Sequence, residues 1–261
     1  MMSLSPTKVL TTLAMMLTLS ACGPQIPVLP DDPHNEPAAT FPGDGNNEGQ
    51  GELPSETPPD VAEPTTPTSP PNPEEPVLTE REQILKMYDY LDPNQIVPTK
   101  PLEEAVIYFH KNKSKFKNTS VISVLDFSQK STQKRWYFIN MQTGSVWNVH
   151  VSHGKGSDSN HDGYAEKFSN TSGSNASSLG FYKTAETYTG SNGYSLRLDG
   201  LSTTNSNARS RAIVVHGANY VQDSSVIQGR SWGCPAVSQS NRDKVINMIK
   251  GGSLIYAVNK Y

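Results

Sequence analysis

Between residues 23 and 79 the chain carries 15 of its 20 prolines, 11 acidic residues, one aromatic residue (Phe41) and no Lys or Arg. Low hydrophobicity, like charge and dense proline deny such a segment a core, so it is expected to stay disordered. A compact fold must therefore come from the residues that follow, roughly 180 of them, enough for one good core. Charge divides at the same boundary. Residues 80–261 hold 14 acids against 21 Lys and Arg, a balance near +7. A basic domain on an acidic tether favours anionic surfaces.

The first 22 residues read as an export signal: Lys8 is the only charge, an apolar run extends from Val9 to Leu19, and small residues follow at Ser20 and Ala21. That run is too short to span a bilayer as a mature helix, which needs about 20 apolar residues. Leu19-Ser20-Ala21-Cys22-Gly23 resembles a bacterial lipobox. The resemblance implies lipidation of Cys22, a membrane anchor, and, from Gly23, sorting to an outer membrane facing the periplasm. Several acyl chains on one cysteine matter, because a single chain anchors only marginally. The alternative is an ordinary secretory signal cleaved nearby. On the lipoprotein reading, residues 1–22 are signal and 23–79 are a tether. Its reach is at most about 180 Å as a polyproline-like chain and about 40 Å as a flexible coil. Export also argues against nucleic acid as the anionic partner. Cys22 and Cys234 are the two cysteines; an exported chain could pair them, whereas a lipidated Cys22 leaves Cys234 a free thiol.

Residues 80–116 are expected to be helical. Ile84, Leu85, Tyr88 and Leu91, then Leu102, Ala105, Val106 and Phe109, recur at helical spacing, with Pro93, Pro98 and Pro101 as punctuation. The pattern then changes. Val121–Phe127, Trp136–Met141, Val146–Val151, Arg211–His216 and Leu254–Val258 are strand candidates, rich in β-branched and aromatic residues. Residues 170–195 are dominated by Ser, Gly, Asn and Thr, with apolar islands at Leu179–Tyr182 and Tyr188. Residues 241–250 set Val245, Ile246, Met248 and Ile249 on one helical face, with Ser240 as expected cap and Gly251-Gly252 as stop. The fold class expected is mostly β, with short flanking helices.

The segment that carries chemistry is Ile213-Val214-Val215-His216-Gly217, a polar loop, then Arg230-Ser231-Trp232-Gly233-Cys234-Pro235. A thiol is a strong nucleophile only as thiolate, and an imidazole can take its proton and later return it to a leaving amine. His216 ends an apolar strand, where a scaffold holds it rigidly. Cys234 lies in a Gly-Cys-Pro turn, where the Gly233 and Cys234 N–H groups are candidate oxyanion donors. The plainer alternative is a structural strand-end histidine and a small core cysteine. A metal reading of His110, His150, His153 and His161, with Asp158 and Asp162, is weaker: on a strand, His150 and His153 point to opposite faces, and zinc needs three or four convergent ligands.

The arrangement resembles the YkuD-type L,D-transpeptidase catalytic domain, whose signature is a histidine, a spacer of this length, then Ser/Thr-His-Gly-Cys. His216 matches the first histidine, and Ser231, Gly233 and Cys234 match the serine or threonine, glycine and cysteine. Ser152-His153-Gly154-Lys155-Gly156, Phe168-Ser169-Asn170, Ser177–Tyr182 and Gly229–Pro235 are similar to a divergent branch, the murein L,D-transpeptidase catalytic domain. The resemblance covers roughly residues 100–261, with the catalytic domain placed at 117–261. It implies a Cys234 nucleophile and His216 as base then acid. The Gly217 carbonyl would fix the imidazole tautomer, with Ser231 bracing the loop. The substrates implied are peptidoglycan stem peptides, cleaved between a diamino acid and D-alanine. The acyl group then passes to a stem amine, a free D-amino acid or a protein lysine; with water as acceptor the enzyme is an L,D-carboxypeptidase. No cofactor or metal is implied. Trp232 stands where the signature has its second histidine, and no Arg follows two residues after Cys234. Arg230 is the expected substitute cation, and Trp232, His153 and Tyr182 are further candidates for substrate contact. The alternatives are a hairpin cap for His153 and core packing for Trp232. A wall-binding lipoprotein on an inactive catalytic domain is the rival from another class.

A truncation beginning near Thr79 is expected to stay folded and to turn over soluble muropeptides at the full-length rate. Loss of activity in solution would overturn the tether reading.

Overall fold

The computed structural model describes residues 77–261; the signal, Cys22 and all but the last three residues of the tether lie outside the described residues. The domain opens with two helices, α1 (Glu80–Met87) and α2 (Thr99–Lys111). Thr79 caps α1 in a reciprocal box with Glu82, so two orphan N–H groups find partners. Pro98 precedes α2 and Pro101 lies in its first turn, where a missing N–H costs nothing. The apolar positions of both helices bury Ile84, Ala105, Val106 and Phe109.

Eight strands follow in one sheet: β1 (Val121–Asp126), β2 (Trp136–Asn140), β3 (Val146–Val149), β4 (Gly180–Gly190), β5 (Gly193–Gly200), β6 (Val214–Ala218), β7 (Ala236–Ser238) and β8 (Leu254–Val258). Their order across the sheet is β3-β2-β1-β8-β4-β5-β6-β7. Pairing is antiparallel except for β1 with β8 and β6 with β7. The helix α3 (Gln239–Ile249) crosses from β7 to β8. Among the described residues the fold is mostly β with three α-helices. Among the described residues no helix is long and apolar enough to cross a membrane.

Strand β1 is buried along its whole length because it is covered on both faces. Ile122 and Val124 face the α1–α2 layer with Ile139, Leu254 and Phe109. Val121 and Leu125 face the other core, with Trp136, Phe138, Leu196, Val215 and the α3 residues Val245, Ile246 and Ile249. This alternation is the period-two signature of a strand between two apolar layers.

The sheet curls until its two ends meet. Beyond β3 the chain continues as Val151–Lys155 and bonds to the far edge: Ser152 N–H donates to the Ala236 carbonyl (2.9 Å) and Ser231 N–H to the His153 carbonyl (2.9 Å). The loop that carries Cys234 is thereby held from both sides.

The structure adds to or corrects the sequence pattern at three places. The stretch 180–200 is a long hairpin, β4–β5, closed by the two-residue turn Ser191-Asn192. Its polar residues conceal it, since Thr184 spends its hydroxyl on the Ile249 carbonyl and on the Gly252 and Ser253 N–H groups. Val237 and Ser238 belong to a strand, and α3 begins at Gln239, with Ser238 rather than Ser240 at the cap position. Residues 211–213 precede β6, with Ala212 at φ 55°.

Ile246 is fully buried and Met248 only partly so. Ile246→Ala should lower the unfolding free energy by about 2–5 kcal/mol, and Met248→Ala by clearly less, in urea titrations read by far-UV circular dichroism.

Candidate functional site

Cys234 follows a turn that only glycine serves well. Gly233 sits at φ +118°, and a Cβ there would lie 2.7 Å from the Ala176 carbonyl oxygen. Ser231 clasps the same turn. Its hydroxyl accepts from the Gly233 N–H (3.0 Å) and donates to the Cys234 carbonyl (2.7 Å). Its main chain pairs with His153 and Lys155. The Gly233 N–H is therefore already spoken for, which corrects the expectation that it faces an oxyanion. The Cys234 N–H makes no hydrogen bond among the described residues.

The parallel register sets His216 beside Ala236. Two residues before β7, Cys234 lies beside Val214, whose N–H is 3.4 Å from the sulfur. Val214 and His216 share one face of β6, so the thiol and the imidazole start from backbone positions about 7 Å apart along it. The thiol also points at the Ala212 carbonyl (3.6 Å), which the left-handed Ala212 turns toward it. His216 is buried, with Nδ1 3.0 Å from the Gly217 carbonyl oxygen. A carbonyl accepts only, so Nδ1 carries the proton and Nε2 keeps its lone pair.

Burial pushes the Cys234 thiol up, against the Val214 N–H and the Arg211 charge, which favour the thiolate. Burial pulls the His216 imidazole down, against the Gly217 carbonyl. Both groups rest neutral.

A cleft of about 550 Å³ opens over them, lined also by Tyr188, Arg211, Tyr220, Arg230 and Trp232. A second, of about 430 Å³, shares Ser191, Asn192, His216 and Tyr220 and runs toward Gln239 and Arg242. His216 lies at the seam. No Asp or Glu lines either cleft. Arg211 donates to the Ser169 and Ala176 carbonyls (both 2.6 Å), and Arg230 to the Asp158 carbonyl; neither meets a carboxylate among the described residues. Arg211 escaped the sequence reading. Its one signal is the Arg-Ser-Arg run just before the apolar strand.

Two candidates for substrate contact lie elsewhere. Tyr182 is buried beneath the Cys234 loop, its hydroxyl donating to the Ser178 carbonyl (2.7 Å); burial pushes its phenol up to about 12. His153 is buried between Arg135 and Asp158, Arg135 donating to Nδ1 (2.7 Å) and Nε2–H donating to the carboxylate (3.0 Å). It lines neither of the two clefts. Trp232, by contrast, is 73% exposed with the Lys155 ammonium 5.6 Å from its ring centre, which excludes core packing. His150 and His153 both lie beyond the end of β3, so strand alternation does not separate them. His150 turns instead to the Thr132 carbonyl (3.2 Å) and Asp223 (3.5 Å). Among the described residues no three His, Cys, Asp or Glu side chains converge.

A family model described as L,D-transpeptidase catalytic domain matches residues 93–258. The chain belongs to that family. No curated relative matches. Solved structures with a similar fold include L,D-transpeptidase 1 of Mycobacterium tuberculosis, at 16% identity over 53% of this chain and 62% of that one, TM-score 0.31. An L,D-transpeptidase from Mycobacterium smegmatis is 17% identical over 53% and 58%, TM-score 0.33. One from Stackebrandtia nassauensis is 12% identical over 67% and 74%, TM-score 0.33. The chain spans about three fifths of the length of the two mycobacterial proteins.

His153 generates a stability prediction. Burial, with the Arg135 charge, lowers its imidazole to about 4, against the opposing pull of Asp158. The unfolded chain takes up a proton near pH 6.5 that the folded chain refuses until about 4, so stability falls as pH drops through that window. Between pH 7 and pH 4 this group should cost about 3 kcal/mol, at 1.36 kcal/mol per pKa unit. His153→Gln should flatten the acid side of the stability–pH curve, measured by urea unfolding at stepped pH; an unchanged slope would remove His153 from the account.

Proposed function

We propose that this L,D-transpeptidase domain acts through Cys234 as nucleophile on peptidoglycan stem peptides. The observation that carries the reading is a thiol and a tautomer-fixed imidazole on the wall of one cleft, which arginines line without acids. A stem tetrapeptide ends in a carboxylate one residue from the bond to be cut. Arg211 and Arg230 supply a positive field there, and guanidinium matches carboxylate geometry.

His216 Nε2 takes the Cys234 proton as sulfur attacks the diamino acid carbonyl, and returns it to the departing D-alanine nitrogen. Because thiol and imidazole both rest neutral, the proton moves only as sulfur engages a carbonyl. A free thiolate is thereby spared oxidation in an oxidising compartment. An amine then attacks the thioester: a stem side chain, a D-amino acid or a protein lysine. Arg242 and Gln239, past His216 in the second cleft, border a route for that acceptor. Trp232 and Lys155 border the mouth of the first. We further propose that the chain is an envelope lipoprotein anchored through Cys22, most consistent with an outer membrane facing the periplasm, with residues 23–79 as its tether.

Incubation of the full-length protein with purified muropeptides, read by product mass, tests the function. Dimers or amine adducts indicate transfer; tripeptide alone indicates an L,D-carboxypeptidase. Cys234→Ala should abolish D-alanine release by at least 10³-fold with the fold intact, on the order of the loss that follows removal of a nucleophile or base. His216→Ala should abolish turnover yet leave slow acylation by a carbapenem, since some thiolate persists near neutral pH. Full activity in either variant would overturn the mechanism, and a wild-type chain that binds muropeptides without product would make it a wall-binding lipoprotein.

A further inference from the structure

Lys111, Lys113, Lys115 and Lys117 stand within seven residues, with no acid among them, and supply more than half of the +7 carried by residues 80–261. None of the four lines either cleft. Lys111 has a structural use. It ends α2, where a cation suits the exposed carbonyls, and its ammonium lies 2.6 Å from Glu80. Lys113, Lys115 and Lys117 have none. All three are exposed, and among the described residues their ammonium groups meet no carboxylate and no hydrogen-bond acceptor.

The run is displayed on a rigid support. Asn112 closes α2, its N–H reaching the Tyr108 and Phe109 carbonyls (3.0 and 3.2 Å), and Lys113–Lys115 form one 3₁₀ turn. Phe116 pins the middle, buried with its ring centre 5.9 Å from Phe109 and 6.5 Å from Tyr108. Asn118 then donates to the Met248 and Lys250 carbonyls (3.1 and 2.9 Å). Lys117 lies against Gly252, where a Cβ would come within 3.2 Å of the Lys117 nitrogen. Lys250 therefore joins the run from the far end of α3. It is exposed, and its ammonium meets the neutral Asn247 side chain (2.8 Å). Like charges gathered in this way repel one another, and no contact of the fold offsets that cost.

Two features decide the partner. The cations here are all lysines, whereas Arg211 and Arg230 line the first cleft. A guanidinium matches the shape of one carboxylate, while an ammonium is a point charge that responds to charge density. The apolar side chain of the run, Phe116, is turned inward, so its exposed positions are Lys and Ser, with nothing to insert among acyl chains. Helices that lie on a bilayer combine lysines with exposed apolar residues. Resting on the reading that the substrate is peptidoglycan, we infer that Lys113, Lys115, Lys117 and Lys250 form a docking surface for the peptidoglycan polymer, engaging free stem carboxylates outside the clefts. One exposed lysine–carboxylate pair is worth little. Carboxylates repeated along one insoluble mesh engage several lysines together, because each pair that forms raises the effective concentration of the next. The cleft then samples stems from a domain already held at the wall.

The test compares the full-length chain with its Lys113→Gln/Lys115→Gln/Lys117→Gln variant on purified sacculi, a soluble disaccharide tetrapeptide, and vesicles of anionic or zwitterionic phospholipid. In sedimentation with sacculi the triple variant should bind about tenfold more weakly. Sacculi with amidated carboxyl groups should lose the wild type to a similar degree. D-Alanine release from the soluble tetrapeptide should stay within about twofold of wild type, while release from intact sacculi falls about five- to tenfold. Equal sedimentation of variant and wild type overturns the inference, as does a wild type that stays in the supernatant. So does a loss confined to anionic vesicles, which would assign the lysines to a membrane surface; a lipid on Cys22 contributes equally to both chains. Should the triple variant fail to fold, Lys113→Gln/Lys115→Gln takes its place, with binding about threefold weaker expected and unchanged binding overturning the inference. If the wild-type chain releases no D-alanine from the soluble tetrapeptide, the functional reading itself has failed. Sedimentation with sacculi is read independently of that outcome.

Discussion

Arg135 is a guanidinium with no route to water. It lies wholly inside the domain and donates to the Gln129 carbonyl (2.7 Å), the Val151 carbonyl (3.0 and 3.3 Å) and His153 Nδ1 (2.7 Å). Burial lowers it to about 9, with Asp126 and Asp158 holding it up, so it remains charged near neutral pH. A cation so placed is costly unless every donor is engaged. What it engages is the segment after β3 that closes the sheet. That segment presents the His153 carbonyl to Ser231 and the Ser152 N–H to Ala236. From Arg135 the chain of dependence runs through Val151 and His153 to the turn that carries Cys234. The Cys234 loop is thus held by main-chain hydrogen bonds on both sides, so its geometry does not rest on the loop's own preferences.

The electrostatics of the site follow from two opposed placements. Desolvation raises the Cys234 thiol and lowers the His216 imidazole, each toward its neutral form, while the charges lining the cleft are all of one sign. Arg211 and Arg230 bond to carbonyls, which orient a guanidinium without cancelling its charge. Paired with carboxylates, they would offer little to an incoming anion. Asp158 shows the contrast. Its carboxylate is turned inward to His153 and the Gly163 N–H, and only its carbonyl reaches Arg230. One residue therefore compensates the buried network and positions a cleft cation without discharging it.

Much of this was legible in the sequence where period and composition spoke plainly. Ile84 to Phe109 repeat at helical spacing, and β1, β2 and β8 are apolar runs with β-branched residues. The thiol, the histidine and the glycine turn stand in a motif specific enough to name a family. Three kinds of information were not there to read. The β4–β5 hairpin is written in Thr, Lys, Glu and Gly because its outer face is solvent and Thr184 serves three main-chain groups, so alternation is blurred. Burial is not a sequence property: His153 and Tyr182 sit in polar, glycine-rich company, yet both face inward. Strand closure is not local either. Nothing near residue 152 announces that it pairs with residue 236, and Arg211 belongs to the site only because the chain before β6 returns beneath Ser169 and Ala176.

Trp232 marks where family pattern and local physics diverge. An indole has a donor but no basic nitrogen, so this position cannot take part in proton transfer. A large aromatic side chain left 73% exposed beside the Cys234 turn has also forgone the burial that would have stabilised the fold. The ammonium of Lys155 rests over its face, and Lys155 is itself bonded through its main chain to Ser231. The closing segment therefore supplies both faces of the turn: main-chain bonds beneath it and a charged stem across its exposed ring. With Trp232 in the place of the signature's second histidine, the cleft carries a flat aromatic surface where the family pattern has a basic ring. A ring so exposed contributes little to holding the domain together.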